Sequence, residues 1–314
     1  MAQKVNVDNF SRAETDRMFS DLEQNAGAIN TFKHNREPTP IDKQTVIRMN
    51  RDTLYSIAIA DLSEGATLTI PDHGDRYLSL MIVDNDHYIN QVFHDAGEYK
   101  LTASEAGSEF VALAARILVD PEDEKDIARV ASIQDGLSLE AGSSKSFVSP
   151  EYDKASLDTT RNALLELAPG LGGVARAFGS RDQVDPVRHL IGTAAGWGGL
   201  PDREASYVLG APSPGVGNSR MTFKDVPVDA FWSISIYNAE GFFEENEMGS
   251  YTVNSVTAES GEDGAVTVHL GDFPEGTPNA IPTPEGWNYT IRLYRPHPEI
   301  TSGDWTPPSL ESVS

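Results

Sequence analysis

The densest group of chemistry-bearing side chains is RMNRDTLY (48–55), where two guanidiniums, an amide, a carboxylate and a phenol fall within eight residues. Arginine presents a planar fork of donors that grips a carboxylate or phosphate through paired hydrogen bonds. Strand alternation puts Arg48 and Asn50 on one face. The competing reading is a structural Arg–Asp pair at a strand end, since ion-pair networks imitate sites. A second group is DNDHY (84–88) with His73, Asp75 and His94. Carboxylate and imidazole together can ligate a metal or supply a base and its orienter. Asp86 and His87 are adjacent, so in a strand they point to opposite faces and cannot serve each other. His87 therefore needs a partner from elsewhere, and Asp52 is the candidate. No HExxH, facial triad or calcium-loop spacing appears, so an acidic turn followed by a half-exposed histidine outweighs a metal site through His73, Asp75, His87 and His94.

Other motifs are weaker. No GxSxG elbow occurs, and GSSKS (142–146) lies among small residues without strand-turn-helix context, which disfavours an α/β serine hydrolase. GLGGVA (170–175) fits a dinucleotide fingerprint in letters but follows a helical pattern instead of a strand, so it reads as a helix end and loop. In AAGWGGLP (194–201) the glycines around Trp197 allow close backbone approach. The indole then forms either a pocket wall or a plug at one end of a sandwich.

These residues need elements to position them. Ser11 with Glu14 has capping-box spacing, and Met18, Phe19, Leu22, Ala26 and Ile29 share one helical face, with a break near Gly27. After Pro38 and Pro40 the pattern alternates through VIRMN, TLYSIAIAD, ATLTI, RYLSLMIVD, YINQVF, EYKL and FVALAARILV, the signature of strands. At Asp120 the period changes: Pro121 sits where the first helical residue would be, with Glu122, Asp123 and Glu124 in the first turn. Further helices are expected over 158–168 and, capped by Asp185, over 186–191. Strands return in RMTF, AFWSISIYN, YTVNSVT, AVTVHL and WNYTIRLYR, with a hairpin signal at Asp263 and Gly264. Aligning DTLYSIAIAD (52–61) with DAFWSISIYN (229–238) matches the isoleucines in register, which suggests a duplicated unit, although short strands also converge by alternation. The faces bearing Ser56, Ala58 and Ala60, and Ser233 and Ser235, are small, so either another element packs closely there or a cavity remains. The expected fold is mainly β with helical segments: two β-sandwich, jelly-roll-like units joined by a helical region. Its divisions are a helical segment (1–37), a β unit (38–120), a helical connector (121–215) and a second β unit (216–314).

Composition narrows the partners. The chain has 314 residues, 39% hydrophobic, with 24 basic against 48 acidic side chains and a formal charge of -24. Polyanions meet repulsion, so nucleic acid and anionic membrane are not expected. With no cysteine, disulfides, thiolate nucleophiles and iron–sulfur clusters are excluded. No apolar stretch has signal-peptide or membrane-span length, and a cytoplasmic location follows as the expectation.

The strings PTPIDKQTVIRMNRDTLYS, DRYLSLMIVDNDHYIN, VDPVRHLIGTAAGWGGLP, VPVDAFWSISIYNAEGFF and GWNYTIRLYRPHPEI, with Trp305 and Pro307, run through nearly the whole chain. In these strings the sequence resembles the short form of a bacterial family that pairs two domains of unknown function, 1254 (N-terminal) and 1214 (C-terminal). The resemblance implies two β-sandwich or jelly-roll-like units joined by helices, and some short-form relatives carry a carboxylesterase label. In NAIPTP (279–284) relatives usually have Cys or Trp where this chain has Ala280, so no thiol mechanism is available there. Many relatives are exported, which the N-terminal sequence here does not suggest.

The leading expectation is a hydrolase-like enzyme acting on an ester or amide in a pocket between the two β units. Arg48 and Arg76 would bind an anionic group or stabilise an oxyanion, and Asp52 with His87 would act as general base. Tyr55, Trp197 and Trp232 would line the apolar wall, with Asn50 and Arg292 completing the binding set. The alternative is a non-catalytic ligand-binding or structural β-sandwich protein. No cofactor is expected; the partner is a small-molecule ligand or substrate, and a homo-oligomer is allowed. In a strongly acidic chain, the local excess of arginine at Arg48, Arg51 and Arg76 should draw small anions.

Overall fold

Period-two alternation builds both halves of the chain. The computed structural model describes residues 2–44, 47–212 and 217–313. Two units emerge that do not follow sequence order: Met1–Glu37 with Thr53–Asp202, and Pro38–Asp52 with Arg203–Ser314. The RMNRD part of the richest motif thus belongs with the C-terminal strands, while Tyr55 belongs with the first unit.

The first unit contains α1 (Phe10–Ala26), β1 (Lys33–His34), β2 (Thr53–Asp61), β3 (Ala66–Ile70), β4 (Leu78–Val83), β5 (Ile89–Phe93) and β6 (Gly97–Leu101). It continues through α2 (Ala103–Ala106), β7 (Phe110–Leu118), α3 (Glu124–Asp135), β8 (Ser138–Ala141), α4 (Lys154–Leu167) and α5 (Pro186–Gly196). One sheet runs β1-β2-β7-β4-β5 and a second β6-β3-β8, all antiparallel. Between them lie Leu54, Ala58, Leu80, Ile82, Leu113 and Ile117 of the first sheet and Leu68 and Ile70 of the second, closed by Val130 of α3. Ala58 and Ala60 are small because this core packs on them. The helices make a satellite cluster from Phe10, Ala13, Leu157, Leu164 and Ile191.

Local rules explain most helix ends, with shifts. Asp185 caps α5 through the N–H groups of Val187 and Arg188, with Pro186 in its first turn. α3 begins later than Pro121 because Asp123 is the cap, accepting from Lys125 N–H. Ser11 is not the cap of α1, which starts at Phe10, and Glu14 is buried in an ion-pair cluster with Arg17 and Arg161.

The second unit contains β9 (Ala205–Gly210), β10 (Ser219–Phe223), β11 (Trp232–Tyr237), β12 (Thr252–Asn254), β13 (Val266–Leu270), β14 (Ala280–Ile281), β15 (Asn288–Tyr294), α6 (Pro298–Ser302) and β16 (Glu311–Ser312). Its sheets run β12-β11-β15-β9 and β14-β13-β10-β16. Met221, Phe223, Val266 and Val268 of one pack against Trp232, Ile234, Ile236, Ile291 and Leu293 of the other. The Asp263–Gly264 turn is not a hairpin between paired strands: it lies between β12 and β13, which belong to different sheets.

The architecture is repeated, but not in the alignment that sequence likeness suggests. Matching strands by their neighbours pairs β2 with β9, β3 with β10, β4 with β11, β5 with β12, β6 with β13, β7 with β15 and β8 with β16. Registers agree to the residue. Tyr55, Arg116 and Ser79 form a row across β2, β7 and β4, and Tyr207, Arg292 and Ser233 form the same row across β9, β15 and β11. The turn after β4, where Asp84 N–H donates to Tyr88 O and His87 N–H to Asp84 O, recurs after β11 with Asn238, Phe242 and Gly241. DAFWSISIYN (229–238) therefore corresponds to DRYLSLMIVD (75–84). The match of Ile57 and Ile59 with Ile234 and Ile236 is convergence: the latter pair fills the inter-sheet core, whereas Ile57 and Ile59 alternate to the opposite face of their sheet.

Candidate functional site

In the second unit, β11 turns Trp232, Ile234 and Ile236 into the core, so Ser233, Ser235 and Tyr237 take the other face. β15 does the same with Asn288, Thr290, Arg292 and Tyr294, and β12 adds Thr252. Ser233, Ser235, Tyr237, Thr290, Arg292 and Tyr294 are all buried. A sheet face this polar is stable under cover only if its donors and acceptors find partners.

Segment 47–52 supplies them. Arg292 Nη1 donates to Ser235 Oγ (2.8 Å), and Nη2 donates to the carbonyls of Arg48 (2.9 Å) and Met49 (3.2 Å) and to Tyr237 Oη (2.7 Å). The Tyr237 hydroxyl donates to Met49 O (2.8 Å), and Asn50 Nδ2 donates to Tyr294 Oη (2.8 Å). Asp52 accepts from Ser233 Oγ (2.6 Å) and Thr252 Oγ1 (3.2 Å). Burial pushes the Asp52 carboxyl above its ordinary range, against the pull of Arg292 and the two hydroxyls. Burial also works against the Arg292 cation, but Tyr237, Tyr294 and Asp52 outweigh it and hold the group charged. Arg48 has a left-handed backbone (φ 52), donates its N–H to Gly241 O, and reaches Asn288 Oδ1 through Nη2 at 3.4 Å.

In the first unit His87 is wholly buried with φ 67, where its repeat counterpart is Gly241. Its Nδ1 lies 2.9 Å from Thr193 Oγ1, and Thr193 donates to His189 O, so Nδ1 carries the proton. Its Nε2 accepts from Gly198 N–H at 2.8 Å. Burial drives the imidazole well below its ordinary value, with His189 adding to the effect. The ring stacks on Trp197, whose Nε1 donates to Thr15 Oγ1. His87 is thus a neutral latch that fixes the 197–198 loop, and its one lone pair is already used.

That corrects the proposed base. Asp52 and His87 each have their hydrogen bonds within their own unit, and His87, its single lone pair taken by Gly198 N–H, has no proton-accepting position left for a general base. Arg76 belongs to a structural tie as well: it donates to Leu118 O and makes a two-pronged ion pair with Asp126 at the start of α3. Trp232 lies in the core, stacked on Phe223 at 4.0 Å, so it lines no pocket. Trp197 packs edge-on against Phe19 of α1 and stacks on His87. Tyr55 carries the Arg116 guanidinium over its ring at 5.2 Å, and Arg116 donates to Gly198 O. His73 faces the carbonyls of Arg76 and His94, and His94 Nδ1 faces Leu78 O. No group of three or more His, Asp or Glu among the described residues is placed to hold a metal ion.

Of the expected set, Arg48, Asn50, Asp52 and Arg292 come together, all in the second unit. Sequence reasoning missed Ser233, Ser235, Tyr237, Thr252 and Thr290 as their companions. The alternation in WSISIY and NYTIRLY already separated that polar face from the isoleucines, but gave no sign that segment 47–52 would cover it.

Fold and site together define a protein of two repeated β-sandwich units, the first bearing helices. Models of two protein families of unknown function match, DUF1254 over residues 29–100 and DUF1214 over residues 209–298, and the chain belongs to the family that pairs these domains. The crystal structure of the VPA0106 protein from Vibrio parahaemolyticus is similar, with a TM-score of 0.74 and 19% identity, covering 99% of this chain and 100% of that one. A crystal structure of an uncharacterized protein from Burkholderia cenocepacia has a TM-score of 0.54 and 14% identity, covering 96% of this chain and 86% of that one. At these identities the likeness concerns the fold alone. No curated protein matches the chain. No helix among the described residues is long and apolar enough to cross a membrane.

Proposed function

We propose that this protein binds a small anionic molecule on the polar sheet face of its second unit, without catalysis through Asp52 and His87. One observation carries this reading: two guanidiniums, Arg48 and Arg292, share that face with one carboxyl, Asp52, whose ionisation burial opposes. Such an imbalance is costly unless an anion offsets it. Ligand titration followed by heteronuclear NMR tests the reading, with expected shifts confined to residues on β11, β15 and segment 47–52. Shifts spread evenly over the surface, or none with any anion, would discard it.

A second reading, a hydrolase-like enzyme, is favoured by the 2.6 Å contact in which Ser233 donates to Asp52, the contact a hydroxyl nucleophile needs from its base. Turnover of a panel of p-nitrophenyl esters and anilides that disappears in both Ser233→Ala and Asp52→Asn would establish it. Absent or unchanged turnover leaves binding as the function.

A further inference from the structure

Thr290 lies on β15 between Asn288 and Arg292, on the same face. Arg48 meets both flanking residues: its Nη2 reaches Asn288 Oδ1 and its carbonyl receives Arg292 Nη2. Two donors among these residues lack partners: Arg48 Nε and Thr290 Oγ1 are both buried and have no hydrogen-bond partner among the described residues. Thr290 is only 1% exposed. A buried hydroxyl and a buried guanidinium N–H left unmatched are each expensive, and native structures seldom leave them so without a reason.

Charge sharpens the point. Arg12, Arg17, Arg36, Arg76, Arg161, Arg203, Arg220 and Arg295 are all ion-paired to carboxylates. Among the described residues none forms an ion pair with Arg48, in a chain that has twice as many acidic as basic side chains. Among the described residues its side chain hydrogen-bonds to the neutral amide of Asn288.

We propose that Arg48 Nε–H and the Thr290 hydroxyl form a binding site for the carboxylate of a small monocarboxylic acid. The inference rests on the binding function above and names the class of its ligand. Two donors match the two oxygens of one carboxylate, whereas a phosphate dianion brings more acceptors than the site has donors. One negative charge balances Arg48, since Asp52 lies in the field of Arg292. Thr290 is paired across the sheet with Leu209, on the edge strand β9, and Leu209 is 53% exposed. The acid's apolar substituent lies along Leu209.

Titration of the full chain with carboxyl-13C-labelled acetate and butyrate, followed by carbon line broadening, tests the site, with acetamide and inorganic phosphate as comparison probes. The expected result is binding of both acids, butyrate the tighter. Arg48→Met should weaken it at least about tenfold, as loss of a charge-assisted hydrogen bond does. Thr290→Val, nearly isosteric, should weaken it about fivefold, the scale of a neutral hydrogen bond, and keeps the test decisive if Arg48→Met does not fold. Undiminished acid binding in Thr290→Val overturns the carboxylate site but leaves anion binding intact. Binding of phosphate or acetamide in preference to the acids overturns the ligand class alone. If none of the probes binds, or a crystal soaked in butyrate shows only ordered water between Arg48 and Thr290, the site falls, and with no probe bound the function above falls too.

Discussion

The same row of side chains, tyrosine, arginine and serine on three adjacent strands, is built twice, and the two copies are covered differently. In the first unit Arg116 donates to Gly198 O in the loop after α5, and that loop is held by a neutral, fully hydrogen-bonded His87. In the second unit Arg292 donates to the carbonyls of Arg48 and Met49, in a segment that brings another guanidinium and a carboxyl. One cover is uncharged at its latch and the other carries an excess of positive charge. The fold sets the arginine position, and the covering segment decides whether charge is left over for a ligand.

Breaking the second cover should have the largest effect. Arg292→Met leaves Asp52 buried without its cation and takes a donor from the Arg48 and Met49 carbonyls, so a loss of about 3–5 kcal/mol in urea unfolding is expected, the cost of deleting one partner of a buried charge pair. Arg116→Met should lose less, about 1–3 kcal/mol; equal losses would mean that the covers do not differ as described.

The latch offers the next comparison. His87→Ala removes both ring hydrogen bonds and the packing on Trp197, for an expected loss of about 3 kcal/mol. His87→Gly introduces the residue that the second unit uses at this turn and should cost about 1 kcal/mol less than alanine, because glycine tolerates φ 67 without strain. A glycine variant no better than alanine removes the strain argument.

Acid titration separates the two units by sign. The folded-state value of His87 is depressed, so its contribution is fully present above the unfolded value near 6.5 and is lost as pH falls, by up to about 1.4 kcal/mol per pH unit. The folded-state value of Asp52 is raised, so its contribution is present in acid, below the ordinary carboxylate value, and is lost as pH rises through the raised value. Unfolding curves at a series of pH values should show a shallower acid decline in His87→Ala than in the parent and a steeper one in Asp52→Asn. Parallel curves would sink both assignments. The smallest effect is at Gly241, where φ is +91 and an added methyl would crowd Ile47: Gly241→Ala should lose about 1–2 kcal/mol, near the strain of a left-handed alanine.

Several features were legible in residue order. Alternation located most of the strands, Asp185 with Pro186 marked the start of α5, and the RMNRD segment stood out as the functional candidate. The partners of Asp52 and His87 were not legible, because each side chain's partners come from positions more than a hundred residues away. The repeat was legible only in a false alignment, since short alternating strands resemble one another whichever face they bury.

What the sequence by itself determined is therefore the local part: strand periods, capped helices, the absence of thiol chemistry and a concentration of arginine in an acidic chain. Only the tertiary structure decided that segment 47–52 covers β11 and β15, that His87 is spent on a loop, and that Arg48 meets the residues on either side of Thr290. The physical reason is range. Periodicity and capping act over a few residues, whereas the partner of a buried charge or hydroxyl is chosen by whichever distant segment packs above it.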